Sequence, residues 1–346
     1  MHNDPKGRGN MATKLGLWGI VIIIAAIVSI ASIVGTFAYM QMSTRQKLVV
    51  ATTTSLYDTG LLDEVETAFE AKYTIDIYFI SVGSGIAIQF AQRGDADMLL
   101  VHAPSEELKF LQGNYGVNRK IFAYNFFEIV GPTDDPANIE GLSPIDALSR
   151  IVAAGRNSTA VWVSRGDGSG THVKEKELWA QAGFNWTLIR DEVNWFKETG
   201  SGMGKTLITA NGLKAYTLTD IGTFLAYSVG TTNQVPNLET LVAQGSELIN
   251  VYSAIAVNVT ANPKANFEAA TAFTKFVLSE EGQQIIGNYG IATYGQSLFY
   301  PAVELLKSNT NPTIVQMIKD YAYFNDDSTR TECPTQYRYG HPELYD

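Results

Sequence analysis

The order of short apolar strands and hydroxyl- or glycine-rich loops is what most constrains this chain. Lys47–Ala51 (KLVVA) reads as a buried strand, and beyond the polar stretch Thr52–Ser55 the apolar positions Leu61, Leu62, Val65, Ala68 and Phe69 recur at helical spacing. Asp76–Val82 (DIYFISV) repeats the pattern through Gly83-Ser84-Gly85 into a helical stretch Ile86–Arg93 closed by Gly94, and Asp97–His102 (DMLLVH) supplies a third strand. Strands that alternate with helices build a parallel or mixed sheet with covering helices, so the expected fold class is α/β. Phe126–Val130 ends at Gly131-Pro132 and the polar run TDDPANIEG, a candidate chain crossing between lobes. Ala160–Val163 (AVWV) then restarts the alternation through Ser164–Thr171 into a helix near His172–Gln181. Ala215–Leu218 and Val251–Val257 read as further strands, Asn266–Leu278 and Glu280–Tyr289 as helices. Thr310–Asp346 is aromatic and polar without a period that assigns it to an element.

A second segment stands apart. No charged residue occurs from Leu15 to Thr44, and Leu15–Tyr39 is strongly apolar. At about 1.5 Å per residue such a helix reaches ~37 Å, enough for a hydrocarbon core of ~30 Å. Lys6, Arg8 and Lys14 precede it, so the positive-inside rule keeps residues 1–14 cytoplasmic and exports the remainder of the chain. The expectation is a single-pass anchor over 15–42 that holds the protein at the cell membrane. A cleaved signal peptide is the alternative, against which stand the length of the run and the lack of an A-x-A site.

The charge is uneven. The chain holds 25 Lys+Arg against 35 Asp+Glu, a net −10. Residues 1–44 carry three cations against Asp4, a net +2, which leaves −12 on residues 45–346. Nucleic-acid surfaces need clustered Lys and Arg, so no nucleic-acid partner is expected. The single thiol, Cys333, cannot form an internal disulfide, and His2, His102, His172 and His341 are scattered, so neither a metal nor a cofactor is expected. No GxxxxGK[ST] occurs, which argues against an ATPase.

Three loops share one design: Thr52-Thr53-Thr54-Ser55, Gly83-Ser84-Gly85 and Ser164-Arg165-Gly166-Asp167-Gly168-Ser169-Gly170-Thr171. Each lies between a strand and a helix and offers hydroxyl donors. Helix N-termini present unpaired N–H groups and a partial positive charge, so such loops favour anions. In an open α/β sheet they gather at the carboxyl ends of the strands, where ligands bind. Arg165 is their only cation, and Asp167 is placed to orient it. Each loop also has a purely structural reading: a strand end with a helix cap, a turn, and Ser169 and Thr171 as caps. His172 beside Ser169 raises nucleophilic catalysis, but no G-x-S-x-G elbow or orienting acid accompanies it, and a capping or packing histidine is the favoured reading.

The loops resemble those of the tungstate-binding proteins of ABC uptake systems, within the type II periplasmic-binding-protein superfamily. The similarity is collinear over about 250 residues: ATTTSLYDTGLL (51–62), VGSG (82–85), GDADMLLVHAP (94–104), YNFFEIVGP (124–132), SRGDGSGTHVKEKELW (164–179), GSGMGKTL (200–207) and AYTLTDIGTFLA (215–226). It implies two α/β lobes around a ligand cleft, with residues 47–130 plus 251–346 as lobe I and 131–250 as lobe II. Carried over position by position, it implies that Thr53, Thr54, Ser55, Ser84, Arg165, Ser169 and Thr171 contact the anion. The chain departs from the family pattern at Ser84, where Thr is usual; at Asn125-Phe126-Phe127, in place of YNDF; and at Thr219-Asp220-Ile221-Gly222-Thr223, in place of TDRGT.

The implied function is capture of tungstate or molybdate outside the cytoplasm and delivery, as a monomer, to an ABC permease driven by a cytoplasmic ATPase, with no catalysis. A phosphate-binding protein is the nearest alternative, because phosphate carriers of the superfamily also use an R-x-D-G-S-G-T loop. A surface hydrolase is a third reading.

Overall fold

The computed structural model describes residues 19, 21–22, 25–33, 45–229 and 233–345. They fall into two units, residues 1–46 and 47–346. In the first, residues 25–33 are helical, and Ile27, Val28, Ile30 and Ile33 are each more than half exposed. Most of the span expected over 15–42, and all of residues 1–14, lie outside the described residues. Among the described residues no helix is long and apolar enough to cross a membrane.

The second unit is built on a mixed sheet. In chain order the strands are β1 (Gln46–Thr53), β2 (Ile75–Val82), β3 (Met98–Val101), β4 (Gly116–Pro132), β5 (Trp162–Ser164), β6 (Phe196–Glu198), β7 (Thr217–Asp220), β8 (Leu238–Val242), β9 (Ile249–Val257) and β10 (Tyr300–Pro301), of which β5 and β6 form a separate parallel pair. The main path is β10-β4-β9-β3-β1-β2, with β7 and β8 also pairing to β4. β1 and β3 are parallel, Val50 opposite Met98, while β3 and β9 are antiparallel.

Alternation along the central strands explains why both faces are covered. Leu48, Val50, Met98 and Leu100 point to one side and pack with Leu62, Phe69 and Phe273, whereas Ala51, Leu99 and Val101 point to the other and pack with Ala87, Phe110 and Ile255. With both faces buried, β3 (MLLV) and β9 (INVYSAIAV) lose the polar half of the pattern and are buried throughout.

β4 joins two lobes within one strand. Its first part pairs with β9 as far as Phe126↔Ile249, and from Phe127 onward its partners are β7 and then β8. The change of partner thus precedes the Gly131-Pro132 break expected as the crossing, and Gly131 and Pro132 remain paired, opposite Glu239 and Leu238. A strand can serve two sheets without a turn signal because changing neighbours requires no change in its own pleat. The second lobe's core gathers Ile129, Leu148, Trp162, Trp179, Trp195 and Tyr216 on one side and Val130, Val163, Met203 and Phe224 on the other.

Residues after 310 pack against β4 and β9. The helix Pro312–Ala322, capped by Asn311, buries Val315, Ile318 and Ala322 against Ile121, Ile249 and Val251. Fully buried Arg119 pairs with Glu107 at 2.7 Å and donates to the carbonyls of Ala322 and Glu332. The single thiol, Cys333, is buried there as well.

Candidate functional site

The loops singled out in the sequence meet at one place. β1 runs into the short helix Thr54–Tyr57, whose cap is Thr53: its Oγ1 accepts the Leu56 N–H at 3.3 Å. β2 runs into the helix Ser84–Arg93, and β5 into the helix Gly170–Gln181, capped by Ser169, whose Oγ accepts the His172 N–H at 3.2 Å. The first two loops belong to the first lobe and the third to the second, yet they touch directly. Gly170 N–H donates to Ser84 Oγ at 3.1 Å, and Gly85 N–H donates to the Gly168 carbonyl at 3.2 Å. Gly202, which opens the helix Met203–Leu213, stands so close that an added Cβ would lie 3.3 Å from Thr54 Oγ1.

Capping directs the hydroxyl protons. The oxygens of Thr53, Ser84 and Ser169 each accept a backbone N–H, so their own O–H bonds are free to point elsewhere. Thr53, Ser55, Ser84, Ser169 and Thr171 are fully buried; Thr54 is half-buried.

Arg165 sits at the centre with 1% exposure. Nη2 donates to Thr54 Oγ1 at 3.1 Å and to Asp167 Oδ2 at 2.6 Å, and Nη1 reaches Thr171 Oγ1 at 3.5 Å. Nε is buried without a partner. Asp167 thus pairs with the guanidinium through Oδ2, and its other oxygen accepts the Ser169 N–H at 3.1 Å. Gly166 and Gly168 make this path possible: their φ of 61° and 71° is the left-handed region that side chains disfavour. Under the loop, fully buried Glu175 accepts from Ser164 Oγ, Trp162 Nε1 and Trp179 Nε1, and burial holds its carboxyl up at about 7 against those donors.

His172 is a structural member of the loop. Its Nδ1 accepts the Gly168 N–H at 2.8 Å and its ring rests on Trp186, while burial lowers its pKa to about 4. Ser169 bonds the His172 backbone rather than its ring, so the two are not joined as nucleophile and base.

Sequence reasoning assigned no site role to three residues that reach the site, His102, Asp220 and Thr223. His102, at the carboxyl end of β3, has its Nε2 3.2 Å from Ser55 Oγ and its Nδ1 2.7 Å from Asn250 Oδ1. A Cβ on Gly170 would lie 2.7 Å from that Nε2, so the ring closes directly on the start of the second-lobe helix. Asp220 caps the helix Ile221–Ser228, accepting the N–H and the hydroxyl of Thr223, and burial raises its pKa against the pull of Arg165. Thr223 Oγ1 also lies 3.4 Å from the Ser55 carbonyl. The available signal was positional: His102 directly follows the last residue of β3, and strand ends carry the site in α/β sheets. Among the described residues no group of three or more His, Cys, Asp or Glu could hold a metal ion.

The arrangement is a set of hydroxyl, amide and guanidinium donors shared by two lobes, beside which Asp167 and Asp220 each accept a backbone N–H. It suits an anion. A family model described as a PBP superfamily domain matches residues 38–281. A protein of Haloferax volcanii named "Putative ABC transporter anion-binding protein" is 44% identical over 257 residues, 74% of this chain and 72% of that one. The tungstate-binding protein TupA of Peptoclostridium acidaminophilum is 37% identical over 254 residues, 73% of this chain and 85% of its own. The solved structure of the tungstate-binding protein TupA from Desulfovibrio alaskensis superimposes with a TM-score of 0.62 at 38% identity, covering 74% of this chain and 98% of its own. The chain therefore belongs to the PBP superfamily, in the same family as these anion-binding and tungstate-binding relatives.

Proposed function

We propose that this protein captures tungstate, or its near-isostere molybdate, outside the cytoplasm and delivers it to an ABC permease with a cytoplasmic ATPase. The observation that carries this reading is Arg165: a buried guanidinium with an unpartnered Nε, ringed by hydroxyls from both lobes. Tungstate at neutral pH is a fully deprotonated tetrahedral dianion, so every contact must donate. Thr53, Thr54, Ser84, Arg165, Ser169 and Thr171 supply such donors, and each charge-assisted bond contributes about 1.5–3 kcal/mol. Ser55 is the seventh contact expected from the sequence.

Phosphate keeps a proton near neutral pH and rewards an open carboxylate acceptor. Asp167 and Asp220 both have their oxygens engaged, which favours the fully deprotonated oxyanions. Because the donors come from both lobes, only a closed cleft assembles the set, and binding acts as a shift toward that state. An uncleaved anchor over 15–42, with residues 1–14 cytoplasmic, would tether the carrier beside its permease; the uncharged run from Leu15 to Thr44 supports it. Calorimetric titration of the purified chain with tungstate, molybdate, sulfate and phosphate tests the reading. Tight binding of tungstate or molybdate is expected, and tight phosphate binding with silent tungstate would overturn it.

A further inference from the structure

Fully buried His102 belongs to a directed chain of hydrogen bonds that decides what Ser55 can do. Asn125 Nδ2 donates to the Leu298 carbonyl at 3.2 Å, which turns Asn125 Oδ1 toward Asn250. Asn250 Nδ2 donates to that oxygen and to Tyr252 Oη, each at 2.8 Å, which turns Asn250 Oδ1 toward His102. His102 Nδ1 faces this acceptor at 2.7 Å and must carry the proton. In the neutral ring Nε2 is then an acceptor, and its neighbour at 3.2 Å is the Ser55 hydroxyl. A hydroxyl has one proton. While His102 is neutral, Ser55 gives that proton to the ring and turns lone pairs toward anything in the cleft, an arrangement that repels a dianion.

We propose that His102 takes up one proton when the oxyanion binds, reversing the bond to Ser55 and releasing the Ser55 hydroxyl to donate toward the ligand. The proposal rests on the oxyanion-carrier reading. The balance is simple: free site, dianion and one proton from solvent become a complex in which imidazolium Nε2–H donates to Ser55 Oγ. Apart from the N–H bond made on Nε2, no covalent bond forms or breaks. Thr53 Oγ1, 3.3 Å from Ser55 Oγ, lies on the same relay.

The surroundings hold the free ring neutral and leave the dianion to reverse this. Around His102 stand Tyr252, stacked at 4.9 Å, Phe127 at 6.0 Å, and the start of the helix Gly170–Gln181. Burial lowers its pKa to about 4; Arg165 and Lys174 press the same way, while the Asn250 bond and Asp167 oppose them. A bound double negative charge opposes the cations at the same site, so charging the ring becomes favourable only in the complex.

Calorimetry on the full-length chain tests this directly. Tungstate is titrated at several pH values between about 6.5 and 8 in two buffers of different ionisation heat, with molybdate, sulfate and phosphate in parallel. The expected result is a binding heat that depends on the buffer, corresponding to proton uptake of up to one per anion, and affinity that rises up to about tenfold per unit fall in pH. In His102→Gln the amide can still accept from Ser55 and donate to Asn250 but cannot titrate, so buffer dependence disappears and the pH profile flattens. Oxyanion binding with a buffer-independent heat in the natural chain overturns the proton coupling and leaves the carrier reading standing. Proton uptake that persists in His102→Gln assigns it to another group and overturns the role of His102. Failure of every oxyanion to bind overturns both readings.

Discussion

Arg165 of the second lobe donates from Nη2 to Thr54 Oγ1 of the first at 3.1 Å. This bond joins a loop after β5 to a loop after β1, elements more than a hundred residues apart in the chain, at the centre of the cluster of hydroxyls. Across the lobes the guanidinium meets a neutral hydroxyl, so the facing lobe adds no second carboxylate to the one it already pairs with. Its own acid, Asp167, comes from the same loop and sets its direction.

Arg165→Lys therefore tests the fork rather than the charge. Lysine keeps the cation but loses the planar set of N–H bonds that reaches Thr54, Thr171 and Asp167 together. Oxyanion affinity is expected to fall by roughly 10- to 100-fold in Arg165→Lys and further in Arg165→Ala, following the ~1.5–3 kcal/mol of a charge-assisted bond. Titration calorimetry reads the affinity, and a cooperative melt confirms that the variants fold. Unchanged affinity in Arg165→Ala would make the residue structural.

Gly170→Ala probes the closeness of the lobes. The added methyl would lie 2.7 Å from His102 Nε2, at a ring fixed by Asn250 and stacked on Tyr252. The ring cannot yield without breaking that bond, so a loss of about 1–3 kcal/mol in stability or an equivalent loss of affinity is expected. Urea unfolding with and without tungstate separates the two.

Stability should depend on His102 below neutral pH. The group is neutral in the fold with a pKa near 4, against an ordinary 6.5. Above 6.5 it is neutral in both states and adds nothing pH-dependent. As pH falls from 6.5 toward 4 the unfolded chain binds the proton first, so the fold loses stability, by on the order of 3 kcal/mol at the end of that window. His172, also near 4, acts in the same sense. Glu128 and Glu175, held up by burial at about 8 and about 7, act in the opposite sense. The histidine's part is therefore read as a difference: urea unfolding of the natural chain and of His102→Gln at pH 7 and pH 4.5, with the natural chain losing more on acidification.

Arg119→Met tests whether the segment after 310 is integral to the first lobe. The change leaves Glu107 buried with Ser253 Oγ and the Ala103 N–H as its remaining partners and frees the carbonyls of Ala322 and Glu332. Removing one member of a buried ion pair costs about 3–5 kcal/mol. A large drop in the unfolding midpoint is expected, with faster proteolysis of the chain beyond Ala322.

The α/β class and the three hydroxyl- and glycine-rich loops were legible in the residues because local chemistry writes them. A buried strand reads as an apolar run, a helix start as a hydroxyl or glycine, and a donor loop as SRGDGSGT; these are properties of neighbours in sequence. Thr53, Ser84, Arg165 and Ser169 accordingly stand at one place in the fold. The double service of β4 left no mark, since a strand's pattern records which face is buried and not which strand lies beside it. The partner of Ser55 left none either. His102 lies 47 residues from Ser55 and 148 from Asn250, and each is unremarkable in its own stretch. Which hydroxyl donates and which accepts depends on a relay that runs from the Leu298 carbonyl to Ser55. Such a relay exists only once packing has brought β3, β4 and β9 side by side, because a hydrogen bond's direction is set by the groups around it in space.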